Sequence, residues 1–356
     1  MNISSSILAH YGVKPFHPTN PYLDSVLKGH QKVCLILLAG SGSAILNAHP
    51  KEARLLLDHK ISTFFAVNPA TTVASTTALL TDRYPLETGF LGWALPFKEY
   101  EEKNITVFPN RFQKTGEEVP EPRLMWKKCP ITTIDEILNE AGHKAFLDMP
   151  IHTKADGYHS WKEAYQKADA FFSDRGEFLY LYITEPDHKI HHKGVKSGSV
   201  GRLIRKLAKM VDDFAKKHPD ILVLAIADHG LIDIEEKDIN DHPALKKMLA
   251  RDFSIEGRTP SFKVKEGMKE AFEKEFAASF GNDFILYPAS KILEINHFGC
   301  GKMNPEIPQF IGDYVAVSKS DALLVDKTSE SYFPFKAHHA GESYEERAVN
   351  LAAWNL

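Results

Sequence analysis

Hydrophobic and polar residues alternate between two textures along this chain. Short apolar runs at 33–38, 61–67, 178–184 and 221–227 are rich in branched and aromatic residues and end in polar or turn residues. Such runs predict buried strands. Between them lie segments of helical period. In 200–217, Leu203, Leu207, Val211 and Phe214 share one face and mostly charged residues occupy the other. Segments 132–141 and 161–172 also read as helices. Strands alternating with helices predict an α/β fold, a mostly parallel sheet sandwiched by helices.

The texture changes after Gly230. Residues 231–320 are rich in charge, with a helical stretch at 265–280 and turns such as SFGND and HFGCGKMNP. This region reads as an inserted cap, with 1–230 and 321–356 forming the α/β core. No internal repeat or low-complexity linker interrupts either part.

In open parallel sheets, ligands bind beyond the carboxyl ends of the strands. The four strand tips read AGSG, NPATTVASTTALLTDRYP, EPDHKIHHKG and DHGL. Asp187 and His191 are spaced to share one helix face and reach one ion if the segment forms a helical turn; the alternative is a solvated polar loop, since His188 and His192 lie there too. Asp228 and His229 directly follow an apolar strand, where a buried carboxylate needs a partner. Thr72 opens a small-residue helix whose free N–H groups suit a phosphate. Its hydroxyl is either a nucleophile or part of a helix cap. His338 and His339 lie near the carboxyl terminus, where a histidine pair by itself is more often structural or exposed than metal-bound.

Bulk composition changes the picture little. The 356 residues carry a formal net charge of −4 and are 43% hydrophobic. That balance offers no general attraction to duplex nucleic acid or anionic membranes. Seventeen histidines raise the prospect of a metal site. Three scattered cysteines, Cys34, Cys129 and Cys300, do not suggest a disulfide framework. No signal peptide or apolar membrane span is evident, so a cytoplasmic protein without a membrane partner is expected. Oligomeric state is not readable. The Gly40–Ser43 turn lacks the third glycine of a dinucleotide fingerprint, and its serines fall out of register for a nucleophile elbow.

Taken together, the segments resemble the alkaline phosphatase superfamily, close to its type I phosphodiesterase and nucleotide pyrophosphatase branch. TVASTTALLTDRYPLETGFLGW is similar to the nucleophile element, with Thr72 nine residues before Thr81. EPDHKIHHKG, ADHG and HAGESYEE follow in the family's order. The resemblance implies an alkaline phosphatase-like fold and a threonine nucleophile, Thr72. It implies two divalent ions, usually zinc, about 4 Å apart. Asp187, His191 and His339 would hold one. Asp228, His229, the Thr72 oxygen and an aspartate ending the first strand would hold the other.

Here that last position is Ala39. Asp82 and Ala340 replace usual glycines, and Thr88 replaces a usual histidine. Ala39 reads either as an engineered loss of one carboxylate or as the mark of a natural pseudoenzyme; retention of every other ligand favours the first. The expected substrate is a small phosphodiester or nucleotide pyrophosphate. Trp93 is placed to stack on a base or to pack in the core. Two other functions stay open: a phosphomonoesterase or sulfatase-like hydrolase, and an inactive nucleotide-binding pseudoenzyme.

Overall fold

The computed structural model describes residues 2–150 and 156–356. Met1 and residues 151–155, assigned from sequence to the core, lie outside the described residues. At the centre is a six-stranded sheet, ordered Lys60–Phe65, Ala348–Trp354, Leu222–Ile226, Val33–Leu38, Phe178–Ile183, Ala145–Asp148. Ala348–Trp354 pairs antiparallel with both its neighbours, while the other pairings are parallel.

The pleat of the first strand explains why both faces need cover. Cys34, Ile36 and Leu38 enter one apolar cluster, and Val33, Leu35 and Leu37 the other. The amphipathic helix Gly198–Lys217 covers the first face with Val200, Ile204, Leu207 and Val211. The helices Asn2–His10 and Ile134–Glu140 cover the second through Ile3, Ile7, Ile134 and Leu138. One expected buried strand differs. Lys60–Phe65 is a sheet edge, half-exposed along its length, because only Ala348–Trp354 pairs with it.

A second, seven-stranded antiparallel sheet lies over the carboxyl end of the core. It draws Ser254–Ile255, Pro260–Phe262, Phe284–Pro288 and Tyr314–Ser318 from the region read as the cap. Its other three strands, Ala94–Phe97, Lys103–Thr106 and Arg111–Phe112, come from the stretch assigned by sequence to the core. The join is a single pairing of Ile255 with Ala94. Two short strands far apart in the chain leave no local pattern that would announce this partnership. Among the described residues, no helix is long and apolar enough to cross a membrane.

Candidate active site

The site is built from strand tips. Two glycines bring them close. A Cβ on Gly42 would lie 2.5 Å from the Gly230 Cα, and one on Gly230 would lie 2.1 Å from the Glu345 carbonyl oxygen. The turn after the first strand therefore packs directly on the Asp228-His229-Gly230 turn. The Gly40 N–H donates to Asp228 Oδ1 over 2.9 Å, and the Asp187 N–H donates to the Ala39 carbonyl over 3.0 Å. Ala39 is buried between them and offers a methyl group.

Asp187 and His191 lie on the short helix Asp187–Lys193, one turn apart. His339 follows the strand Ala337–His338. One ligand atom from each of Asp187, His191 and His339 lies within 4.8 Å of the other two. His191 Nδ1 faces the Ala337 carbonyl at 2.8 Å, and its Nε2 faces Asp187 Oδ2 at 3.4 Å. With Nδ1 donating, the ring either carries a second proton or turns a lone pair toward a carboxylate. A cation between them resolves both cases. Asp187 Oδ1 and His339 Nδ1 are buried without a hydrogen-bond partner. These orphaned atoms fit a metal.

Charge in this half is unevenly shared. Burial pushes the Asp187 carboxyl up, but His191, His229 and His338 outweigh it and hold it at about 2. Burial drives His339 well below the usual imidazole range, aided by His229 and His338. His339 thus keeps a free lone pair, as a metal ligand must. Burial opposes a proton on His191, yet the Asp187 charge raises it overall.

The other half centres on Thr72. His229 Nδ1 bonds the Gly230 carbonyl at 3.0 Å, which leaves the Nε2 lone pair bare. The Thr72 hydroxyl lies 3.0 Å from that Nε2 and donates to it. Asp228 Oδ1 accepts from two backbone N–H groups, Gly40 and His229, and its Oδ2 stands 3.6 Å from His229 Nε2. Burial raises the Asp228 pKa, and nearby Asp187 adds to the effect. The two halves meet where the His229 and His339 rings lie 3.9 Å apart. The structure thus gathers Thr72, Asp187, His191, Asp228, His229, His339 and Ala39 at one place.

The chain belongs to the type I phosphodiesterase / nucleotide pyrophosphatase family. That family matches residues 53–340, most of the chain and every residue of this cluster except Ala39. Solved structures share the fold. Murine ectonucleotide pyrophosphatase / phosphodiesterase 5 superposes with a TM-score of 0.71 at 16% identity, covering 91% of this chain and 88% of that one. An inactive variant of the murine protein in complex with AMP gives 0.69 at 17% identity, with the same coverage. The human protein of the same name gives 0.68 at 15%, again over 91% and 88%. A search of curated protein sequences found no match.

Two residues that the sequence did not single out, Glu256 and Arg258, support this cluster, together with Glu346 of the HAGESYEE element. Glu256, from the cap sheet, is buried and accepts at Oε1 from the Thr71 hydroxyl over 2.6 Å and from the Trp93 N–H over 2.8 Å. Burial pushes its carboxyl up to about 7. Because the Thr71 hydroxyl is drawn to Glu256, it does not cap the helix Thr72–Thr81, whose first N–H groups stay open to an anion. Arg258 forms a fully buried pair with Glu346, Nε to Oε1 at 2.6 Å and Nη2 to Oε2 at 3.0 Å. The Glu346 carbonyl accepts from Gly230 N–H and its carboxylate from Gly341 N–H, so the pair braces both halves. Glu346 lies seven residues after His339, the spacing of that element, but no spacing marks Glu256 or Arg258, so only their partners reveal them. Trp93 is tied by its backbone beside Thr71, with 41% of the residue exposed.

Two positions where the sequence resemblance leads one to expect glycine have left-handed backbone. Asp82 ends the Thr72–Thr81 helix at φ 54°, and its carboxylate accepts from Ser5 and from the Phe16 N–H. Ala340 stands at φ 85° directly after His339.

Proposed function

We propose that this protein binds a nucleotide or another small phosphodiester at the Thr72 cluster, and that Ala39 holds its hydrolytic activity low. One observation carries the proposal: the metal-type triad Asp187, His191 and His339 lies beside a threonine hydroxyl whose proton is already committed to His229. Asp187, His191 and His339 are the residues to hold one divalent ion, with zinc suited to this nitrogen and oxygen set. Asp228, His229 and Thr72 would hold the second, one carboxylate short at position 39. When bound, such ions neutralise phosphoryl charge and lower the pKa of a coordinated hydroxyl.

The chain's own groups do the rest. The open amino end of the Thr72–Thr81 helix receives a phosphoryl oxygen. Thr72 Oγ1 loses its proton to solvent and attacks phosphorus in line, forming a phosphothreonine as the bond to the leaving oxygen breaks and that oxygen takes a proton from water. Water then cleaves the phosphothreonine and restores the hydroxyl. The His229 lone pair that now accepts the Thr72 proton is the one a metal would take. The Trp93 ring, exposed at the rim, stacks on a base. We also place the protein in the cytoplasm, where the unpaired Cys34, Cys129 and Cys300 suit a reducing environment; recovery outside the cell overturns that placement.

Metal analysis after zinc dialysis, with AMP titration, tests the reading. One tightly held ion per chain, AMP binding, and slow cleavage of bis-nitrophenyl phosphate are expected. Two tight ions in the Ala39 protein overturn the deficit argument. Preference for a monoester substrate points instead to a phosphomonoesterase.

A further inference from the structure

The segment Asp187-His188-Lys189-Ile190-His191-His192 encodes two chelating pairs on one helix. Asp187 and His191 are four residues apart and face the buried cluster. His188 and His192 repeat the spacing one position later, turned by about 100° around the helix axis. The Nε2 atoms of His188 and His192 lie 3.3 Å apart. Two nitrogens bound to one tetrahedral zinc stand about 3.4 Å apart. The spacing is already that of a chelate.

Each ring has one neighbour outside the pair. Glu185 Oε1 stands 3.9 Å from His188 Nδ1, on the ring's far side from His192. At that distance the carboxylate is a nearby negative charge, not a hydrogen-bond partner, and it favours a cation at the pair. Phe333 meets the His192 ring edge-on, at 4.6 Å and 87°. The His188 side chain is 73% exposed, so water can complete a coordination sphere. Lys193 follows directly and opposes a cation, which keeps the affinity modest.

We propose that His188 and His192 form a surface site for a divalent late transition-metal ion, separate from the Asp187, His191 and His339 cluster. Imidazole pairs suit copper, nickel and zinc, in the affinity order that favours copper. The site has two protein ligands and open positions, so it takes and releases its ion readily. It differs in kind from the enclosed triad on the helix's other face.

Calorimetric titration of the zinc-dialysed full chain with Ni(II) tests the assignment. The unaltered chain should take up one more ion than His188→Ala or His192→Ala. His188 is exposed and His192 half-buried at the surface, so neither variant disturbs the core and both keep the wild-type circular dichroism. Equal uptake by all three proteins overturns the proposal and leaves a simple hydrogen bond between two imidazoles. Asp187→Ala separates this site from the proposed catalytic one. It should lose the triad ion and keep the surface ion. Loss of both ions in Asp187→Ala would also overturn the proposal, since the sites would not be separate.

Discussion

The two halves of the Thr72 cluster are built alike but endowed unequally. In the Asp187, His191 and His339 half, every donor is a side chain and two polar atoms are left buried without partners. In the Thr72, Asp228 and His229 half, the available groups already satisfy one another. Thr72 bonds His229, and Asp228 Oδ1 takes two backbone N–H groups. The lesson is energetic. A buried polar group without a partner retains its full desolvation cost and gains most from a cation. A half whose groups are internally bonded, with only the Ala39 methyl beside it, gains less. The turn at Ala39 is held by backbone bonds at Gly40 and Asp187, independent of the residue 39 side chain.

Placing a carboxylate at position 39 should break the comparison most strongly. Ala39→Asp is expected to raise zinc-dependent turnover of bis-nitrophenyl phosphate by about 10²- to 10³-fold, the size typical of one charge-stabilising group. Steady-state kinetics measures it, and an unchanged rate would remove Ala39 as the cause. A variant of the shared brace should weaken both halves together. Arg258→Met leaves Glu346 buried and unpaired, which costs about 3 kcal/mol or more. Urea unfolding reads the loss, and a wild-type midpoint would contradict the bracing role.

Glu256 gives a smaller, pH-dependent test on the Thr72 side. Its folded pKa of about 7 lies above the ordinary value of 4.5, so between these values the folded protein binds more protons than the unfolded chain. Stability from this group is full below pH 4.5 and falls as pH rises through about 7. Glu256→Gln keeps an acceptor for Thr71 and Trp93 but cannot ionise. In chelator-treated protein its stability relative to the parent should rise by about 3 kcal/mol between pH 4.5 and pH 8. A difference that stays flat with pH in thermal unfolding would show that Glu256 titrates normally.

The sequence made the centre of the molecule more legible than its cover. The strand Val33–Leu38 could be read because six consecutive apolar residues have few alternatives. The cluster residues could be read because they sit at strand tips in a fixed order. The edge strand Lys60–Phe65 had the same apolar texture as a buried one, and burial depends on neighbours, not on composition. The cap was harder. Its sheet joins Ala94 to Ile255, and its contributions to the site, Glu256 and Arg258, are charged residues without periodic spacing. Such residues look solvated until a partner such as Glu346 or Thr71 is placed against them.

The smallest expected effect concerns Ala340, on the intact side. Its φ of 85° puts a Cβ into a region that disfavours L side chains, at a cost of about 1–2 kcal/mol. The strain is held by two bonds: Ala340 N–H donates to the Ala70 carbonyl, and the Thr259 hydroxyl donates to the Ala340 carbonyl. Glycine would remove the strain but widen the unfolded ensemble, which offsets about 0.5–1 kcal/mol. Ala340→Gly should therefore stabilise the protein by less than about 1 kcal/mol while leaving His339 and its metal affinity unchanged. Differential scanning calorimetry with a zinc titration separates the two quantities. A clear drop in stability would mean that the Ala340 methyl, fully buried, contributes more by packing than its backbone costs. A change in zinc affinity would mean instead that this residue sets the angle at which His339 enters the cluster, and the robustness ascribed to the intact half would rest on one strained peptide.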